Sequence, residues 1–141
     1  MKYSIGIVTY VKRYDKYFKN LIKQIKSFKP DVEIIVCING EYKKKFDESY
    51  RANVLRFLSE YENIYPSFYP NFRSLSKLWN CCLINSSNDN VLILNDDVSI
   101  NHPSFFHHLD ELSKTNKSFK INGSWSHAFL DRKEISDVGW F

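Results

Sequence analysis

Short apolar strands alternate with amphipathic helices through the first two-thirds of the chain, and this alternation limits the fold more than any other feature. Strands buried on both faces are predicted over residues 5–8, 33–38 and 91–94, where the chain is apolar apart from Glu33 at the start of the second. Between the first two runs, apolar side chains recur at the spacing of one helical face: Phe18, Leu21, Ile22, Ile25 and Phe28. Strands that alternate with helices predict a parallel sheet with right-handed crossovers. We therefore expect an α/β fold with a Rossmann-like, mostly parallel sheet flanked by helices.

The remaining patterns complete one domain over residues 1–141. A second helix is predicted with Phe46, Tyr50, Val54, Phe57, Leu58 and Tyr61 on one side, and the lysines at 43–45 at its solvated start. A short third strand at Ile64-Tyr65 is expected to end at Pro66, and a helix follows over 75–83. Pro103 suits the start of a further helix. Later elements are a short strand at Ile121, a strand over 125–130 and a helical turn over 133–138.

Composition narrows the class of protein. Hydrophobic residues at 43% and aromatic residues at 16% exclude a disordered chain, and 141 residues are enough to bury a core. The net charge is +4, and the sequence has no stripe of basic residues with interleaved aromatic residues. Nucleic acid is therefore not an expected partner. Cys37, Cys81 and Cys82 lack metal-ligand spacing and are expected to be free thiols, with Cys37 and Cys82 buried.

The start of the chain and its charge bear on location. Met1-Lys2-Tyr3 runs directly into the first strand, and the apolar runs are too short to span a bilayer. These features predict a cytoplasmic protein. The excess of lysine would suit an anionic nucleotide, or peripheral contact with the inner face of an acidic membrane.

Polar side chains follow three of the predicted strands at the point where each strand ends. Thr9, Tyr10 and Arg13 follow the first strand, Asn39 follows the second, and Asn95-Asp96-Asp97 follows the fourth. The carboxyl ends of parallel strands share one edge of a sheet, where open α/β folds bind ligands. Two neighbouring carboxylates repel unless a cation joins them, and a divalent cation that carries substrate phosphates would do so. If the strand continued past Asn95, Asp96 and Asp97 would point to opposite sides.

Other interpretations of the same residues remain open. An Asp-Asp pair after a strand is often only a solvated turn, and Thr9 or Asn39 taken singly is more often a turn residue than a ligand. Several other nucleotide and hydrolase folds are excluded, because the chain contains no GxGxxG, no GxxxxGK[ST] and no serine nucleophile elbow.

The motifs together resemble those of the family-two glycosyltransferases, which have the GT-A fold and bind nucleotide-diphospho-sugars. The resemblance covers almost the whole chain. The matching segments are residues 5–10 with Arg13, 34–40, 78–80, 92–98 and 135–141.

The resemblance implies specific roles and partners. Thr9, Tyr10 and Asn39 would contact the nucleotide, Asp96 would approach the ribose or donor sugar, and Arg13 or Arg73 would assist. Asp97 would bind Mg²⁺ or Mn²⁺ bridging the diphosphate. The donor would be a nucleotide-diphospho-sugar, with a UDP-sugar favoured, and the acceptor a hydroxyl of a saccharide or of a lipid-linked molecule.

The chain also departs from the family pattern. Ile38 stands where the family often has an acid, and the acidic motif begins with Asn95. The segment that supplies the acceptor site and the base usually follows the position of Phe141, which predicts a domain truncated at its C-terminus and a tendency to form homo-oligomers through uncovered apolar surface. His127 and Asp131 are the weak candidates for catalytic residues. A non-catalytic nucleotide-sugar-binding module and an α/β interaction domain are the alternative functions.

Overall fold

A single sheet of six strands organises the chain, and the computed structural model describes residues 2–141 of it. The strand order is β3-β2-β1-β4-β6-β5. The first four strands are parallel, and β6 runs antiparallel to both β4 and β5. The strands are β1 Ser4–Tyr10, β2 Glu33–Asn39, β3 Ile64–Tyr69, β4 Asn90–Asn95, β5 Phe119–Ile121 and β6 Ser124–Asp131. This mostly parallel α/β sheet confirms the predicted fold class.

Helices cover both faces of the sheet. They are α1 Val11–Arg13, α2 Lys19–Phe28, α3 Glu48–Leu58, α4 Leu75–Asn85, α5 Ser104–Ser113 and α6 Arg132–Asp137, with a π-helical turn at Tyr14–Phe18 between α1 and α2. Ile5 and Ile7 of β1 pack in the larger core with α2, α3 and α5. Cys37 of β2 and Ile93 of β4 pack in the smaller core with α4. Alternate residues of the central strands thus fill two separate cores.

The predicted third strand was too short. The prediction ended it at Pro66, but β3 continues to Tyr69 and pairs Pro66 with Val36 and Phe68 with Ile38. Among the strands of residues 2–141, only β2 pairs with β3, and an edge strand tolerates a proline because its missing N–H can face away from the sheet.

The predicted helix boundaries also need correction. The first helical segment starts directly after β1 and passes through a π-turn, and the three lysines at 43–45 lie in a turn before α3. Asp47 begins α3, since its carboxylate accepts hydrogen bonds from the backbone N–H groups of Ser49 and Tyr50. Phe46 and Tyr61 flank this helix and pack against the larger core from outside it.

Cys37 and Cys82 are buried free thiols, as predicted, with their Sγ atoms 3.5 Å apart. Among residues 2–141, no helix combines the length and the apolar character that a bilayer crossing requires.

Gly6 lets α4 approach the middle of β1. A Cβ atom at this position would lie 2.7 Å from Cys82 Cβ and 2.8 Å from Ile93 Cδ1, closer than real contacts allow. We expect Gly6→Ala to lower the free energy of unfolding by about 1–3 kcal/mol, the usual cost of overpacking a core. Urea denaturation measures the effect. Ile93→Val removes the Cδ1 atom, so the double variant should lose less stability than the sum of the two single losses. A strictly additive double variant would contradict the steric explanation.

Candidate functional site

The register of the parallel strands brings the predicted polar residues to one edge. Tyr10 pairs with Asn39 across β1 and β2, and Val8 pairs with Asn95 across β1 and β4. A cavity of about 600 Å³ lies at this edge, within the size range of small-molecule sites. Its lining residues are Val8, Thr9, Tyr10, Lys12, Arg13, Asn39, Gly40, Glu41, Tyr42, Lys44, Phe72, Arg73, Leu75, Asn95, Asp96 and Asp97. The cavity therefore gathers all the residues proposed above for nucleotide and metal binding.

Asp96 lines the cavity and is almost fully buried. Its side chain is 3% exposed, and Thr9 Oγ1 donates a 2.9 Å hydrogen bond to Asp96 Oδ2. Arg13 contacts the other oxygen, Oδ1, through Nε at 2.7 Å and Nη2 at 2.6 Å. Both carboxylate oxygens of Asp96 thus have partners within the protein.

Arg13 joins the two neighbouring carboxylates. Its Nη2 lies 3.0 Å from Asp97 Oδ2 as well as contacting Asp96, and its guanidinium also lies 5.2 Å from the centre of the Tyr17 ring. Hydrogen bonding to Asp96 raises the pKa of the Arg13 side chain above its ordinary value, so the guanidinium stays charged. The cation that relieves the repulsion between Asp96 and Asp97 in this structure is an arginine.

The two acids of the turn that follows β4 differ in exposure. β4 ends at Asn95, and Asp96 and Asp97 lie in a turn, so the alternation expected for a continuing strand does not apply. Asp97 is 44% exposed and opens to the cavity, whereas Asp96 is buried. Asp97 is therefore the carboxylate that a ligand can reach.

Asn39 fastens the loop that carries Arg73 to the end of β2. The Asn39 side-chain amide donates to the Arg73 carbonyl at 2.9 Å and accepts from the Arg73 backbone N–H at 3.0 Å. Gly40 permits the same close approach, since a Cβ there would lie 2.5 Å from the Pro70 carbonyl oxygen. The Asn39 side chain thus supports the cavity wall, with one N–H and one oxygen lone pair left for other contacts.

Several cavity residues were missed by reasoning from the sequence. Tyr42 and Phe72 form an edge-to-face pair at 5.6 Å, and both are exposed. Lys44 pairs with Glu41 at 3.0 Å. Phe72 belongs to an aromatic cluster visible in the sequence, but Tyr42 lies on a turn that carries no motif. Loop residues of this kind depend on the path of the chain, which spacing alone does not specify.

The structure places neither catalytic candidate in the cavity lining. Asp131 pairs with Asn90 at the opposite end of β4 and accepts a hydrogen bond from the Glu134 backbone N–H at the start of α6. The position as a helix cap gives Asp131 a structural role away from the cavity. His127 precedes Ala128, the partner of Ile93, and its Nδ1 lies 3.3 Å from Ser126 Oγ.

The residues at the carboxyl edge of the sheet suit a divalent cation that is bound together with a phosphorylated ligand. Within residues 2–141, no group of three or more His, Cys, Asp or Glu side chains is arranged to hold a metal ion. Mg²⁺ typically uses one or two carboxylates together with substrate phosphates and water. Asp97 can supply such a carboxylate, so the site suits a metal that arrives with a phosphorylated ligand rather than one caged by protein groups.

Comparison with solved structures defines the class of fold. The chain has a GT-A fold, the mixed α/β architecture of GT-A glycosyltransferases. A structure of S. aureus TarS residues 1–349 in complex with UDP matches the whole chain with a TM-score of 0.70 at 16% identity. Mannosyltransferase PcManGT from Pyrobaculum calidifontis, in complex with GDP-Man and Mn²⁺, matches with a TM-score of 0.71 at 11% identity. The present chain spans about half of each of these proteins, 50% and 48% respectively.

The fold also extends to nucleotidyltransferases. The 4-diphosphocytidyl-2C-methyl-D-erythritol synthase from Anaerococcus prevotii DSM 20548 matches 95% of the chain with a TM-score of 0.63 at 13% identity, and 72% of that protein is covered. No protein-family model and no curated protein matches the sequence. These structural neighbours support a fold of the nucleotide-sugar transferase type. The function of this chain depends on the residues at the carboxyl edge of its sheet.

Proposed function

We propose that this chain binds a nucleotide-diphospho-sugar at the carboxyl edge of its sheet and belongs to a glycosyltransferase that transfers the sugar to an acceptor hydroxyl. One observation carries the proposal: the carboxyl ends of the four parallel strands, with the segments that follow them, bring five polar residues into one cavity, namely Arg13, Asn39, Arg73, Asp96 and Asp97. That cavity combines cations for phosphates, amide groups for a base and an exposed carboxylate for a metal. The neighbours that hold UDP or GDP-Man support the same class of ligand.

The residues divide into those that contact the donor and those that hold them. Asp97, Arg73 and Tyr10 face the cavity and are proposed to contact the nucleotide-sugar, whereas Thr9 and Asp96 hold Arg13 in place. This assignment differs from the roles that the resemblance implies for Thr9 and Asp96, because the Thr9 hydroxyl donates to Asp96 and both carboxylate oxygens of Asp96 have protein partners. Asn39 would contact a base only through the part of its amide not bonded to Arg73.

A divalent ion, Mg²⁺ or Mn²⁺, would be held by Asp97 and by the diphosphate of the donor. When bound, such an ion acts as a Lewis acid and neutralises the charge that develops on the departing nucleoside diphosphate. The protein's own part is to orient the diphosphate with Asp97 and the cavity cations. Transfer breaks the bond between the sugar and the diphosphate oxygen, forms a bond to the acceptor oxygen, and releases the acceptor proton to a base.

Binding without transfer is the second candidate function, and one observation favours it. Each carboxylate that lines the cavity has a cationic partner: Glu41 has Lys44, and Asp96 and Asp97 have Arg13. No histidine lines the cavity in the part of the chain that the structure describes. Transfer also needs a base for the acceptor hydroxyl, and a chain without one would be a nucleotide-sugar-binding module.

Calorimetric titration of UDP and GDP, each with and without Mn²⁺, tests the proposal. We expect saturable binding of at least one nucleotide that strengthens when Mn²⁺ is present. Release of the free nucleotide from its sugar conjugate, followed by chromatography, then separates transfer or hydrolysis from binding alone. If neither nucleotide binds under any condition, both functions are excluded and an α/β interaction domain remains.

A further inference from the structure

We infer that Arg13 is a latch on Asp97, which keeps the metal site weak until a nucleoside diphosphate arrives and so makes metal and nucleotide binding interdependent. This inference rests on the proposed function. The observation behind the inference is that Nη2 of Arg13 contacts both Asp96 and Asp97. Arg13 thereby lies where a cation that bridges the two carboxylates would have to bind.

The two contacts of Arg13 are unequal in strength. The contact with Asp96 is double, at 2.6 and 2.7 Å, and its acceptor is 3% exposed. The contact with Asp97 is single, at 3.0 Å, and its acceptor is 44% exposed. Partly exposed ion pairs contribute little, whereas a buried, doubly bonded pair is costly to break. The guanidinium can therefore release Asp97 while it stays attached to Asp96.

The charges explain why the latch would weaken metal binding. Two carboxylates and one guanidinium carry a net charge of about −1, half of what the carboxylates alone would offer a divalent ion. An incoming metal must also displace Arg13 from Asp97. The oxygens of a diphosphate change both conditions, because they ligate the metal and accept hydrogen bonds from the freed guanidinium. Each ligand then strengthens the binding of the other by the same factor.

A matched pair of charge-neutralising variants tests the latch. Arg13→Gln removes the bridging cation but keeps a donor for Asp96. Lys12→Gln removes an equal charge from the same cavity, and among the described residues no ion pair joins Lys12 to either acid. The readout is Mn²⁺ affinity without nucleotide, from the paramagnetic resonance signal of free Mn²⁺. We expect about tenfold tighter Mn²⁺ binding in Arg13→Gln, and a change below about threefold in Lys12→Gln.

The coupling provides the second readout. The factor by which UDP strengthens Mn²⁺ binding should fall about tenfold in Arg13→Gln relative to the wild type. Equal Mn²⁺ affinity in Arg13→Gln and the wild type, or an equal gain in Lys12→Gln, would overturn the latch. If Arg13→Gln does not fold, the double variant Arg13→Gln with Asp96→Asn carries the test, because it leaves no unpaired buried charge, keeps the net charge beside Asp97, and removes the guanidinium that a metal has to displace. In that variant, unchanged Mn²⁺ affinity overturns the inference and a gain supports it.

The outcomes separate the latch from the proposed function. If the wild type binds UDP or GDP with Mn²⁺ but the Arg13 variants leave Mn²⁺ affinity unchanged, only the latch fails. If the wild type binds no nucleotide in any condition, the proposed function fails and the latch falls with it.

Discussion

Metal-dependent nucleotide binding is expected to be lost when Asp97 is replaced by alanine. Asp97 is the exposed acid of the pair and opens to the cavity, so it is the carboxylate a phosphate-bound ion can reach. We expect the affinity for UDP or GDP in the presence of Mn²⁺ to fall about a hundredfold, because removal of the carboxylate leaves the ion without its protein ligand. Calorimetric titration of the variant beside the wild type measures this loss.

The effect of Asp97→Ala should be confined to binding. Its contact with Arg13 is single and partly exposed, so the free energy of unfolding should change by less than about 1 kcal/mol. Asp137→Ala is a suitable control, since it removes an exposed acid paired with Lys133 on α6, outside the cavity lining. Equal nucleotide affinity with Mn²⁺ in Asp97→Ala and in the control would show that Asp97 is not a metal ligand.

Asp96→Ala should instead destabilise the folded chain. This acid is buried and accepts hydrogen bonds from Thr9 and Arg13, which would lose their partner together. We expect a loss of about 2–4 kcal/mol in the free energy of unfolding. The loss should stay below the full cost of an uncompensated buried charge, because Arg13 is 31% exposed and can turn toward water. Denaturation with urea at neutral pH measures it.

Two further variants test whether the loss of stability comes from the buried hydrogen bonds of Asp96. Asp96→Asn keeps the shape and one acceptor oxygen, so its loss should be smaller than that of Asp96→Ala. Asp137→Ala again serves as the exposed control, with an expected change below about 0.5 kcal/mol. An Asp96→Ala variant as stable as the control would mean that the buried hydrogen bonds of Asp96 contribute nothing net.

The central part of the fold could be predicted from the sequence because it depends on local patterns. β1, β2 and β4 correspond to apolar runs, and the amphipathic spacing identified α2, α3 and α4. The antiparallel direction of β6 could not be predicted from local patterns, because the pairing of a strand depends on the path of the chain through the whole fold. The end of β3 was misplaced because Pro66 breaks a central strand but not an edge strand.

The residues of the candidate site could be predicted as a group, but their contacts could not. Parallel strands bring their carboxyl ends to one edge, so the convergence of Thr9, Asn39 and Asp97 follows from topology. The partner of the two acids, Arg13, lies 83 residues before Asp96 in the sequence, and the partner of Asn39 lies 34 residues after it. Such pairings depend on the conformations of loops and on side-chain reach, neither of which has a sequence period.

The proline in the outermost parallel strand also bears on how copies of this chain could associate. Pro66 lacks an N–H group, so the free flank of β3 has a gap in its row of hydrogen-bond donors. A strand added there in register would lack one hydrogen bond of the ladder, which disfavours fibrillar aggregation and strand exchange through this flank. A homo-oligomer that formed at this flank would then depend on side-chain contacts, and the sheets of its subunits would stay separate there.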